Sequence, residues 1–247
     1  MPKAIVLGGY GLIGHACCRS LQASGFLVVG VGRSAKTAKR VADDIDWEIH
    51  DITRLTSADW SALLVDADVV INASGALQDG ARDSLTAIHE LAVARLIEAM
   101  NGTRARLIQI SAAGASFGAS TEFLRSKARG DARIMASALD WVILRPALVI
   151  GAQAYGGTAL LRAAAAMPFV FATVYPTAPI QTVWVEDLAR AVVQVAKGDI
   201  PTHSVADISE ADIRSFADTV VLVRKWLGFQ VWRRSFILPK PILRLIG

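Results

Sequence analysis

The feature that most constrains this chain is a glycine loop set directly behind its first apolar run. Ala4–Leu7 reads as a strand, Gly8-Gly9-Tyr10-Gly11-Leu12-Ile13-Gly14 follows without a spacer, and the helix-length segment Leu12–Ser24 closes at Gly25. A strand that turns straight into a helix through glycines at 8, 11 and 14 begins a crossover unit. Leu27–Val31, Trp47–His50, Val69–Asn72, Leu107–Ile110 and Trp141–Leu144 bring the β-rich runs to six, nearly all continuously apolar and spaced widely enough to hold helices between them. Such strands are covered on both faces. The predicted fold is therefore α/β, a doubly wound parallel sheet of the Rossmann type. Further helices are expected over Ser84–Met100, Thr121–Leu139 and Glu186–Lys197, the first ending at Asn101-Gly102 and the last at Gly198.

With 247 residues, 53% of them hydrophobic and 19% charged, the chain can bury a large core but is short for two full domains. The expectation is one nucleotide-binding domain over 1–247, with elements of a small lobe from about 147 to 228 and a basic, apolar tail over 229–247. The net charge of +4 arises in that tail. After Asp218 come Arg224, Lys225, Arg233, Arg234, Lys240 and Arg244 with no acidic residue, so the remainder is net acidic. A basic stripe across a folded face, as nucleic-acid binding needs, is not expected. Ala159–Val174 is apolar but broken by Arg162 and Pro168, too short to span a bilayer. Cys17 and Cys18 are adjacent within one helix and poorly placed to bridge, which suits a reducing, cytoplasmic setting. His15, His50, His89 and His203 are dispersed, and no metal site is expected.

The glycine loop carries a specific chemistry. Glycines let the backbone approach a pyrophosphate, and the free N–H groups and positive dipole of the helix N-terminus meet its charge. Gly8, Tyr10, Gly11, Leu12, Ile13 and Gly14 are thus candidate dinucleotide-binding residues. The end of the second strand separates the two nicotinamide dinucleotides, because an acid there accepts the ribose 2′-hydroxyl and repels a 2′-phosphate. This chain has Gly32-Arg33-Ser34 instead. A guanidinium and a hydroxyl suit phosphate, so NADPH is expected over NADH.

In these residues the chain resembles the short-chain dehydrogenase/reductase superfamily, in particular its extended and atypical, epimerase/dehydratase-like members with G-x-x-G-x-x-G. The resemblance implies an adenine contact from Asp51-Ile52 and a cofactor-lining turn from Asn72-Ala73-Ser74-Gly75. It also sets Pro146, Ala147 and Val149, after Leu144-Arg145, beside the nicotinamide. Val183-Trp184-Val185-Glu186-Asp187-Leu188-Ala189 is similar to a late family segment, although acids at a helix N-terminus also need no ligand to explain them. Phe123-Leu124-Arg125-Ser126-Lys127-Ala128-Arg129-Gly130-Asp131 looks like the Y-L-R-S-K-A-x-G-E of the NADPH-binding accessory subunit of respiratory complex I and its bacterial relatives.

The resemblance makes Lys127 a cofactor-binding and catalytic candidate and Ser111 a candidate to bond a substrate oxygen, though a loop hydroxyl explains Ser111 as well. The tyrosine that would donate the proton is Phe123, which has none to give. Two functions fit: an NADP-dependent oxidoreductase acting on a carbonyl or quinone-like small molecule, or an NADPH-binding scaffold, sensor or assembly factor without turnover. The tail adds a partner candidate. Over 229–247 its Trp232, Phe236 and basic residues suit a membrane surface at the inner face, a membrane domain or a protein partner, whereas Asp212–Leu227 reads as a helix packed on the lobe with a solvated basic face.

Overall fold

The computed structural model describes residues 1–80, 83–152, 157–168, 171–173, 175–232 and 235–237. In chain order the elements are β1 (Lys3–Leu7), α1 (Leu12–Ala23), β2 (Leu27–Gly32), α2 (Ala35–Val41), β3 (Asp46–Ile49), α3 (Ser57–Leu63) and β4 (Val69–Asn72). A π-helical turn, Ala87–Leu91, leads into α4 (Ala92–Met100), and β5 (Arg106–Ile110), α5 (Glu122–Met135) and β6 (Trp141–Pro146) follow. Next come β7 (Leu148–Ile150), α6 (Gly157–Ala166), β8 (Phe171–Thr173), β9 (Pro179–Ile180) and β10 (Thr182–Trp184). The chain continues through α7 (Val185–Lys197), β11 (Ser204–Ile208), β12 (Arg214–Ser215), α8 (Phe216–Trp226) and β13 (Ser235–Ile237).

Two compact units divide these elements, one of residues 1–147 with 184–208 and one of 148–183 with 209–247. The first carries a seven-stranded sheet ordered β11-β6-β5-β4-β1-β2-β3, parallel throughout. This is the expected doubly wound fold. Alternation along β1 divides its two faces: Ile5 and Leu7 join Val70, Leu107 and Ile143 in a core completed by Trp60 of α3, Leu96 and Met100 of α4 and Ile134 of α5. Ala4 and Val6 are buried on the opposite face, and α1 and α7 pack on each other there. Each large side chain so buried stabilises the fold by about 1.5–3 kcal/mol before entropy is counted.

The seventh strand was not expected, because β11 is an edge strand of sequence Ser-Val-Ala-Asp-Ile that lacks a continuous apolar run. It pairs with β6 from Ser204 against Val142 to Ile208 against Pro146. The segment 184–208, assigned by sequence to the lobe, thus folds with the sheet, through β11 and through α7 against α1. α7 ends at Gly198 in the left-handed conformation, as the glycine suggests. α5 starts as expected, with the Thr121 hydroxyl accepting the Leu124 N–H, but stops at Met135 rather than Leu139. The helix expected over Ser84–Met100 contains the π-helical turn.

In the second unit β7 pairs with β10, β9 with β12, and β8 with β13, while α6 and α8 share a small core of Leu161, Ala165 and Val220. The helix read over Asp212–Leu227 is α8, but its basic face is not wholly solvated. Arg224 is buried, donating to the carbonyls of Ala165 and Met167 and lying 4.0 Å from the centre of the Trp232 ring. Of the tail, 233–234 and 238–247 lie outside the described residues. Among the described residues no helix is long and apolar enough to cross a membrane.

One close approach fixes α5 against the π-helical turn. A Cβ at Gly130 would lie 2.1 Å from the carbonyl oxygen of His89, which is backbone and cannot swing aside. Gly130→Ala is expected to lower stability by about 1–3 kcal/mol in urea unfolding. Gly118→Ala, with nothing within 4 Å of the added carbon, is the control and should cost far less.

Candidate functional site

The register of the parallel strands sets the candidate residues in a row at one edge of the sheet. Leu7 pairs with Val31 and with Asn72, Asn72 with Gln109, and Ile110 with Leu144. Each strand therefore ends level with its neighbours; Gly8, Arg33, Ala73 and Ser111 open the loops above a common edge, Asp51 follows β3 by two residues and Arg145 lies near the end of β6. The chain reverses its strand order between β1 and β4, which is where doubly wound sheets bind ligands. There two loops all but touch: a Cβ at Gly8, whose φ is +74°, would lie 2.9 Å from the Ala73 carbonyl oxygen.

The start of α1 is built to receive an anion. Its N-cap is Gly11, no side chain caps it, and its first turn holds no acid. The N–H groups of Leu12, Ile13 and Gly14 therefore face a helix end with no anionic group of the protein's own in that turn. A Cβ at Gly14 would come within 2.2 Å of the Gly8 carbonyl oxygen, so only glycine lets the helix start this close to the strand end. These residues fit a dinucleotide pyrophosphate.

Tyr10 does more than line the loop. Its ring lies over β2 so closely that a Cβ at Gly32 would be 2.1 Å from it, and its hydroxyl accepts the Arg33 backbone N–H at 2.9 Å. Trp47 lies likewise over Gly30. Sequence reasoning missed both glycines, because only the folded sheet shows what packs on them. The Arg33 guanidinium pairs with Asp83 at 2.8 Å, and the Ser34 hydroxyl caps α2 by accepting the Thr37 N–H. Asp51 bends back on its own turn, taking the N–H and hydroxyl of Thr53. Although burial raises its pKa, those bonds and the nearby Arg33 and Arg54 outweigh that, so the carboxyl lies below its usual range. The neighbouring Ile52 side chain is buried in the core.

At the other end of the row lies a buried polar cluster. The Asn72 amide donates to Gln109 at 2.9 Å, and its oxygen accepts the Ser74 N–H. Lys127, one turn beyond Phe123 on α5, donates from Nζ to the Ile110 carbonyl at 2.9 Å, and a Cβ on Gly75 would stand 3.5 Å from that Nζ. Burial pushes Lys127 down to about 8, although Asp131 opposes the shift. Ser111, 5% exposed, donates its hydroxyl to Asp131 at 2.7 Å, and Arg145 reaches the same carboxylate oxygen at 3.1 Å. Burial raises the Asp131 carboxyl despite those bonds. Phe123 meets no polar partner of this kind; its ring stands edge-on to that of His89. Pro146 ends β6 and Ala147 donates to Ile208, whereas Val149 lies on β7 in the second unit.

His89 was not singled out by sequence, and it ties three elements together. It sits on the π-helical turn, its Nδ1 is 2.9 Å from the Ser126 hydroxyl of α5, and its Nε2 accepts the Ala76 N–H beyond the Asn72 turn. π-helical turns often mark functional sites. Asp131 carried a readable signal, since it follows Lys127 by four residues and so shares its helix face. Arg145 was named only within the motif before Pro146, and no local signal paired it with Asp131.

A family model described as NAD(P)H-binding matches residues 8–199. Among solved structures, the chain is similar to the enzyme WbmH of Bordetella bronchiseptica in complex with NAD+, at 19% identity and a TM-score of 0.79 over 97% of this chain and 86% of that one. It is similar to UDP-glucose 4-epimerase of Thermotoga maritima with UDP-glucose, at 15% identity and a TM-score of 0.78 over 96% and 86% of the two chains. The dTDP-glucose 4,6-dehydratase of Bacillus anthracis in complex with NAD matches at 14% identity and a TM-score of 0.77, over 99% and 90%. At such identities the likeness shows the fold. The fold and the matched residues together define an NAD(P)H-binding protein built on a doubly wound parallel sheet. The chain belongs to the NAD(P)H-binding family.

The His89 environment has a consequence for pH. Burial, reinforced by Lys127 and Arg129, pushes the imidazole down to about 2, so it stays neutral where an unfolded histidine protonates below about 6.5. The unfolded state binds more protons in that window, and stability falls as pH drops from about 6.5 toward 2, by up to about 1.4 kcal/mol per unit. Urea unfolding between pH 7 and 5 should show this slope, and His89→Phe should flatten it.

Proposed function

We propose that this chain is an NADPH-dependent oxidoreductase whose hydride acceptor is quinone-like rather than a simple carbonyl. The observation that carries this reading is the state of the groups around position 123. Phe123 offers no proton, the Ser111 hydroxyl is given to Asp131, and Lys127 holds one of its three N–H donors on the Ile110 carbonyl. A bound NADPH supplies hydride. Reducing a simple carbonyl then leaves an alkoxide, a strong base that requires a proton donor at hand. Reducing a quinone leaves a phenolate-like oxyanion, whose conjugate acid ionises near pH 10 as tyrosine does, so solvent can protonate it.

Arg33 and the absence of an acid at residues 32–34 support NADPH as the cofactor, since the guanidinium suits a 2′-phosphate. The open N-terminus of α1 supports pyrophosphate binding by backbone N–H groups. Lys127 would serve the ribose and help exclude water rather than move a proton. A second reading is NADPH binding without turnover, as in a scaffold, sensor or assembly factor. The same inward hydrogen bonds of Ser111 and Lys127 favour it, because neither group need turn toward a substrate.

The two readings separate in one assay. With NADPH, a panel of quinones and simple carbonyls should show turnover confined to the quinones; saturable cofactor binding with no acceptor reduced would favour the second reading instead. Phe123→Tyr should raise carbonyl reduction by roughly 10²-fold, and ordinary carbonyl turnover by the unmodified protein would overturn the reading. Titration with both reduced cofactors tests the other half. NADPH should bind more tightly than NADH, and Arg33→Asp should erase that preference by at least about tenfold.

A further inference from the structure

The adenosine end of the site holds an acid that the sequence of β2 does not announce. Asp83 lies between β4 and the π-helical turn, where Gly80 and Asp83 exchange backbone hydrogen bonds of 2.9 and 3.3 Å. That exchange fixes the base of the Asp83 side chain. Its Oδ1 stands 2.8 Å from Arg33 Nη1, fifty positions away in sequence. Arg33 is anchored from the other side, through its backbone N–H on the Tyr10 hydroxyl. The field of Asp51 also falls on the guanidinium. Two carboxylates thus face one cation, in the place where a 2′-phosphate would bring nearly two further negative charges.

We propose that Asp83 is a specificity-determining residue for the cofactor, holding Arg33 in the free protein and competing with the 2′-phosphate for it. The proposal rests on the reading of Arg33 as the phosphate partner. A guanidinium has donors enough for two acceptors, but a carboxylate held on it repels a phosphate brought to the same group. A ribose with a free 2′-hydroxyl meets no such repulsion. Asp83 therefore weakens the phosphorylated cofactor selectively, and the protein's preference is set by a pair of residues rather than by Arg33 alone.

Calorimetric titration of the purified full chain with NADP+ and NAD+ tests this without any turnover. Asp83→Asn should tighten NADP+ by about fivefold or more at low salt, the scale of one exposed ion pair, and leave NAD+ within about twofold. In Arg33→Ala the gain from adding Asp83→Asn should shrink to what relief of repulsion alone provides. Circular dichroism of each variant establishes that it is folded, and Asp83→Ala serves if Asp83→Asn is not. A loss of NADP+ affinity in Asp83→Asn would overturn the proposal, since Asp83 would then be orienting Arg33 rather than competing for it. Equal changes for both cofactors, or none, would overturn it as well. The NADPH reading fails separately, if the unmodified protein binds NAD+ as tightly as NADP+; a gain confined to NADP+ in Asp83→Asn would still stand.

Discussion

The structure depends on the approach of two loops at the reversal of strand order. β1 pairs with β2 on one side and β4 on the other, so the Gly8 turn and the Ala73 turn leave the sheet side by side. Only a residue without a side chain fits between them. From that contact the rest follows: α1 begins within van der Waals reach of the strand end, and its first N–H groups meet neither a side-chain cap nor an acid of the first turn.

The two ends of the row of strand termini are built on opposite electrostatic principles. At the β2 end the groups are partly exposed: Arg33 pairs with Asp83 across two loops, and Asp51 accepts from Thr53 of its own turn. Such pairs are individually weak and exchangeable. Around Lys127 the groups are buried, and each is held by a neighbour within the fold. The Ser111, Asp131 and Arg145 cluster joins β5, α5 and β6, and His89 joins α5 to the turn after β4. Breaking one partner of such a cluster leaves a desolvated polar group, so it acts first as a brace for α5. Phe123 extends the brace with an apolar ring against His89, where a phenol would have brought a proton donor.

Much of this was legible in the chain itself. The glycine spacing, the six apolar runs and the capping residues Thr121 and Gly198 dictated a doubly wound sheet and the start or end of its helices, because they act through local backbone geometry and period. The substitution at 123, the basic residue at 33 and the lysine one turn beyond Phe123 were equally plain, since side-chain chemistry is a property of the residue. β11 was not, because an edge strand covered on one face lacks the apolar run that marks a central one.

What only the tertiary structure decided is which groups meet. Asp83 and Arg33 are joined because β2 and the segment after β4 end on the same edge of the sheet, and Tyr10 covers Gly32 because the turn after β1 folds back over β2. Ser111 faces Asp131, and His89 bridges two loops, through pairings made between distant stretches of chain. The sequence by itself determined the fold class, the glycine loop and the phenylalanine at 123, since each is written in consecutive residues. The partners of the charged and buried polar side chains were decided by strand order and register, which no local stretch of sequence contains.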